Sequence, residues 1–174
     1  MLYGVDRVVL HSQGPVNQLF SVNNLLISIW TSAPTVEAYD IIAQAARDLG
    51  RQHPYGVAFA NVVATTTTAG KMTPEVRERI NVLSHDETTG LRGTAVIILD
   101  ASPFARAIRA IVSTVLLMTR SKLPTKLCSD IDQAALWLAG ILPHDANAPP
   151  WNCSTIESTL KAVLLRAEGK AARD

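Results

Sequence analysis

The chain has 174 residues, of which 48% are hydrophobic and 18% are charged, so it can bury one core but is too short for two ordinary domains. A net charge of +1 excludes a field strong enough to gather nucleic acid or an anionic membrane without a local patch. The two cysteines lack zinc-type spacing, which favours a reduced cytoplasmic protein without a metal or cofactor. No apolar run reaches the ~20 residues that a spanning helix needs, so we expect no transmembrane segment.

The first third of the chain predicts two strands, a helix and a third strand. Residues 5–11 and 24–30 are rich in β-branched side chains and flank a turn-prone polar segment, so we expect them to pair as an antiparallel edge. Thr35 is a suitable N-cap for a helix that ends within residues 50–54, because apolar residues between them recur at the helical period. Residues 56–64 form an apolar run interrupted by Asn61, which predicts a strand covered on both faces.

A threonine-rich segment joins that third strand to a well-marked helix start. Thr73 as N-cap and Pro74 at the first helical position predict the start, and Val76, Ile80 and Leu83 mark a buried stripe. In open α/β sheets, ligands and partners usually bind at such a junction. A lysine and a helix N-terminus both favour negative charge. We therefore interpret the segment as a candidate partner or anion site, formed by Thr65, Thr66, Thr67, Thr68, Lys71 and Thr73.

The same segment does not predict nucleotide hydrolysis. A phosphate-binding P-loop requires glycine where Thr65 stands, and a magnesium-binding hydroxyl where Met72 stands. Ser102 lacks the Gly-x-Ser-x-Gly elbow of a hydrolase. We therefore expect no catalytic residues. The alternative, an unrecognised enzyme, would have to use Lys71, Asp100 or Ser102 at the strand ends.

The second half of the body predicts two more strands, each followed by a helix. Residues 94–100 are the clearest central strand, and a helix follows over residues 103–121. Residues 125–128 form a last short strand. Ser129, with Asp132 three positions later, resembles a capping box. The final body helix is expected to turn four apolar positions inward: Ile131, Ala135, Leu138 and Leu142.

A proline-rich linker separates the body, residues 1–142, from a C-terminal amphipathic segment. The linker covers residues 143–153, and the helix and tail cover residues 154–174. Ser154 and Glu157 form an S-x-x-E capping box. The helix either folds back onto its own body or lies in a groove of another chain, which would make it an interaction helix. Its narrow apolar stripe consists of Ile156, Leu160, Val163, Leu164 and Ala167.

The order strand, strand, helix, strand, helix, strand, helix, strand, helix resembles the STAS domains, the anti-sigma-factor-antagonist fold of the SpoIIAA type. The local sequence also resembles this family in three places. These are residues 24–30 followed by residues 35–38, the apolar strand at residues 94–99, and residues 127–134, which lead into the last body helix. The chain is also similar to divergent bacterial STAS/SEC14-like proteins. The resemblance covers residues 5–142 and implies an α/β fold. Its mostly parallel sheet would have an antiparallel N-terminal edge and about four packed helices.

What the resemblance implies for function is a non-catalytic regulatory or scaffolding module in signal transduction, which binds a protein partner or self-associates into an oligomer. In phosphorylated members, a kinase modifies a Ser or Thr of an Asp-Ser-Ser/Thr-Gly-type motif between the third strand and the second helix. Residues 65–73 correspond to that place, but no Asp precedes the threonines, so the phosphate switch is not carried over. The alternative is a SEC14-like protein that holds a small apolar or lipid ligand between sheet and helices.

Overall fold

The computed structural model describes residues 8–64, 72–99, 105, 109–110, 112–113, 122–142 and 150–171. In this part of the chain, one six-stranded mixed sheet carries four α-helices. The strands follow their sequence order across the sheet: β1 (Val9–Gln13), β2 (Asn17–Val22), β3 (Leu25–Trp30), β4 (Val57–Val63), β5 (Leu91–Ile98) and β6 (Thr125–Cys128). The helices are α1 (Val36–Gln52), α2 (Pro74–His85), α3 (Ile131–Ile141) and α4 (Cys153–Ala171), and a 3-10 turn spans Glu87–Thr89.

The N-terminal edge has three strands where the sequence predicts two. β2 lies between β1 and β3 and pairs antiparallel with both, so the predicted direct pairing of the flanking strands is wrong. The missed strand contains Asn17, Gln18 and Ser21, which make it look like a polar connection, yet all of its residues are buried. Asn17 donates from Nδ2 to Ser28 Oγ at 3.3 Å. This cross-strand hydrogen bond compensates for the burial of a polar side chain. The periodicity of the sequence alone therefore does not reveal β2.

From β3 onward the sheet is parallel, and helices cover both of its faces. Pairs β3–β4, β4–β5 and β5–β6 all run parallel, which confirms the predicted mixed α/β architecture. The first face packs against α1 and α2 through Leu19, Leu26, Phe59, Ile42, Leu49 and Val76. The second face packs against α3 and α4 through Phe20, Ile27, Ala60, Ile97, Leu138 and Leu160.

The helix starts follow local capping chemistry, with one correction. Thr35 caps α1 as predicted, since its hydroxyl accepts from the backbone N–H of Ala38 at 3.3 Å. The N-cap of α3 is Asp130 and not Ser129, because the Asp130 carboxylate accepts from the N–H of Gln133 at 2.8 Å. That hydrogen bond lowers the pKa of Asp130. Of the helix predicted over residues 103–121, the described positions 105, 109–110 and 112–113 are helical.

Candidate functional site

The carboxyl edge of the parallel strands carries the predicted junction between β4 and α2. Thr73 is exposed and caps α2, with its hydroxyl accepting from the N–H of Val76 at 3.3 Å. The predicted N-cap is therefore confirmed. The other candidate residues of the junction, Thr65, Thr66, Thr67, Thr68 and Lys71, lie outside the described residues, as do Asp100 and Ser102.

The N-terminus of α2 already has a negative neighbour from its own chain. The Glu75 carboxylate accepts hydrogen bonds from its own backbone N–H and from the Thr73 hydroxyl, and both lower its pKa. Glu75 therefore stays ionised at the positive end of the helix dipole. An external anion at this helix start would have to compete with Glu75.

Below this edge, the first face of the sheet contains a polar cluster that sequence reasoning missed. Trp30 donates from Nε1 to Asn61 Oδ1, and its ring lies 5.4 Å from that of Tyr39, measured between centroids. Asn61 is also a hydrogen-bonding neighbour of the Tyr39 hydroxyl, but burial dominates and raises the pKa of Tyr39 to about 12. Tyr39 is therefore neutral near pH 7. The signal was Asn61 itself, a single amide that interrupts the apolar run of β4.

The predicted interaction helix lies on the chain's own sheet. Ile156, Leu160 and Val163 are each 0% exposed and belong to the core of the second face, while Leu164 is partly buried against it. Of the two destinations left open by the sequence, the structure has the fold-back. The indole of Trp151 fastens its start, donating from Nε1 to Asn24 Oδ1 at 2.7 Å.

The cap of this C-terminal helix differs from the predicted one. Asn152 Oδ1 accepts from the N–H of Thr155 at 2.9 Å, and Thr155 Oγ1 accepts from the N–H of Asn152 at 3.0 Å. This reciprocal pair begins two residues before Ser154, so the predicted capping box of Ser154 and Glu157 is wrong. Glu157 instead pairs with Lys161 one turn later. An Asn with Thr three positions on performs the same capping exchange as S-x-x-E.

Among the described residues, no helix has the length and apolarity to cross a membrane. The same residues contain no group of three or more His, Cys, Asp and Glu side chains placed to hold a metal ion. Comparisons with protein-family models, with curated proteins and with solved structures find no match to this chain.

Proposed function

We propose that this chain is a STAS-like, non-catalytic regulatory or scaffolding module that binds a protein partner at the carboxyl edge of its sheet. The binding surface is residues 65–74 together with the solvent face of α2. The observation that carries the proposal is Thr73, which caps α2, the helix that follows β4 along the chain, with its side chain exposed. In the family that the sequence resembles, partner recognition uses the corresponding junction.

The exposure of α2 supports this assignment. Only Val76 and Leu83 of this helix are buried, while Val82 keeps 44% of its surface exposed. Arg77 and Glu78 are exposed as well, so the outer side of the helix offers apolar and charged groups together. Protein interfaces of the regulatory kind combine such groups.

The apolar-ligand alternative has less support. Between the sheet and its described helices, side chains with 0–1% exposure fill both layers, among them Phe20, Ile42, Ile97 and Leu138. A lipid chain would have to displace them, and each cavity opened in this way is costly. The enzyme alternative depends on Lys71, Asp100 and Ser102, which are not among the described residues.

Substitutions that separate capping from recognition test the proposal. Asp is a good N-cap, so Thr73→Asp should keep α2 intact while it removes the hydroxyl and adds charge. Thr73→Asp and Lys71→Ala should each lower the recovery of a specific partner in quantitative affinity capture from the native cell. The expected loss is about fivefold or more, equivalent to roughly 1 kcal/mol at an interface.

Asn152→Ala is the matched control, because it removes the cap of α4, beside Asn24 and away from this surface. It should lower the melting temperature and leave capture unchanged. Undiminished capture by both Thr73→Asp and Lys71→Ala, with normal melting temperatures, would show that the junction only connects β4 to α2.

A further inference from the structure

A cleft of about 260 Å³ opens at the opposite end of the sheet from the junction. It lies between the end of α2, the 3-10 turn, the start of β5 and residues 122–124. Leu83, Leu91 and Leu123 line it together with charged groups. The volume is below the ~300–1,000 Å³ of sites for drug-sized ligands. A ligand would therefore be small, with a compact apolar body.

Arg92 is held in place on one side of this cleft. Its Nε donates to the Tyr55 carbonyl oxygen at 3.2 Å. Its stem lies over Gly56, where a Cβ would come within 2.5 Å of Arg92 Cγ and Nε. Gly56 also has φ +121°, which other residues rarely adopt. Among the described residues, no ion-pair partner for Arg92 is found. Its terminal nitrogens therefore keep donors for a ligand oxygen.

The charges around the cleft favour one negative charge on the ligand. Lys122 contributes a second exposed cation. Asp86 also borders the cleft, but its Oδ2 accepts from Arg47 Nε and Nη2 at 3.0 and 2.8 Å, so its charge is compensated. The lining then has one uncompensated acid, Glu87, and two cations, Arg92 and Lys122. A carboxylate suits an anchored guanidinium better than a neutral group does, because charge-assisted hydrogen bonds are the stronger ones.

We propose that this cleft binds a small monocarboxylate with a branched apolar body. Arg92 and Lys122 hold the carboxylate, and the three leucines receive the apolar part. The site lies at the amino ends of β5 and β6, at the opposite end of α2 from residues 65–74. Lys71 and Thr73, which test the partner surface, are not among the residues that line the cleft. Loss of one activity would leave the other measurable.

Titration of the full chain with 4-methylpentanoate and with its uncharged amide tests the site. The acid should shift the backbone NMR signals of residues 83–92 and 122–124 in a saturable manner. The amide should bind about tenfold more weakly, the expected worth of one charge-assisted hydrogen bond. Equal binding of acid and amide, or no saturation up to about 10 mM, would overturn the proposal.

Variants locate the carboxylate within the cleft. Arg92→Gln should weaken binding of the acid about tenfold, and Lys122→Gln should weaken it by a smaller factor because Lys122 is exposed. Arg166→Gln, a change to an exposed arginine of α4 that does not line the cleft, should bind like the wild type. If Arg92→Gln proves poorly folded by its melting curve, Lys122→Gln and the amide remain as tests. Unchanged affinity in a folded Arg92→Gln would contradict the assignment.

Discussion

The C-terminal helix α4 is buried more deeply than α2, although α4 follows a proline-rich connection and α2 lies in the middle of the body. In α4, Ile156, Leu160 and Val163 are each 0% exposed, whereas in α2 only Val76 and Leu83 are buried. The buried positions of α4 recur every three or four residues and form one unbroken line against the sheet. Continuity of the apolar stripe, and not position along the chain, accounts for the deeper burial of α4.

Polar contacts compensate for the sparse apolar burial of α2. Thr73 caps its start, and Arg79 Nε lies 3.0 Å from Asp40 Oδ1 of α1. At its end, Asp86 binds Arg47 of α1 and the N–H of Thr88, the latter at 3.0 Å. The two helices are therefore held by different forces, so substitutions and pH should affect them differently.

The largest expected effect is in the stripe of α4. Leu160→Ala should lower the free energy of unfolding by about 2–5 kcal/mol, because it removes buried methyl groups and leaves a cavity. Leu165→Ala is the matched control on the same helix, since Leu165 is 68% exposed, and it should change stability by less than ~0.5 kcal/mol. Urea unfolding measures both. Similar values for the two variants would mean that α4 does not pack on the sheet in solution.

An intermediate effect is expected where Asp86 fastens the end of α2. Asp86→Ala should lower the free energy of unfolding by roughly 1–3 kcal/mol, because it leaves Arg47 and the Thr88 N–H without their acceptor. Asp48→Ala removes an exposed ion pair with Arg51 instead, and it should cost less than ~1 kcal/mol. The two variants should be compared at the same pH and salt concentration.

The contribution of Asp86 should also depend on pH. Hydrogen bonds from the Thr88 hydroxyl and from Arg47 lower the pKa of Asp86 in the folded state. Its contribution is therefore complete above the ordinary aspartate value of about 3.9 and is lost as the pH falls through the lower folded value. The stability difference between wild type and Asp86→Ala should be constant from neutral pH to about pH 5 and shrink below about pH 4. A difference that grows on acidification would contradict this sign.

The smallest expected effect on stability comes from removing the N-caps of the two helices. Thr73→Ala and Asn152→Ala should each cost about 0.5–2 kcal/mol, since each removes an acceptor for one backbone N–H. Their local consequences should differ, because the first turn of α4 is also held by buried Ile156 and by the Trp151 hydrogen bond. Hydrogen exchange should therefore accelerate more at residues 76–78 in Thr73→Ala than at residues 155–157 in Asn152→Ala. Equal acceleration of hydrogen exchange in the two variants would contradict the view that burial holds the first turn of α4 more firmly than that of α2.

Local chemistry made several elements predictable from the sequence. Thr35 and Thr73 cap their helices as predicted, and the strand at residues 125–128 has the predicted bounds, because these features depend on neighbouring residues alone. Sequence reasoning failed at Asn17–Val22, where three polar residues conceal a fully buried strand. It also failed at Asn61, whose partners Trp30 and Tyr39 are distant along the chain. The assignment to the STAS family and the partner surface remain proposals.

The sequence by itself determined the α/β class, the starts of α1 and α2 and an amphipathic C-terminal helix, since propensity, capping and periodicity act over a few residues. Only the tertiary structure decided where that helix lies, which strands are neighbours and which polar groups meet. Asn24 and Trp151 are joined across 127 positions of the chain, and Arg92 reaches the carbonyl of Tyr55 across 37. No local pattern encodes such pairs, because each forms only when packing of the whole sheet brings its two residues together.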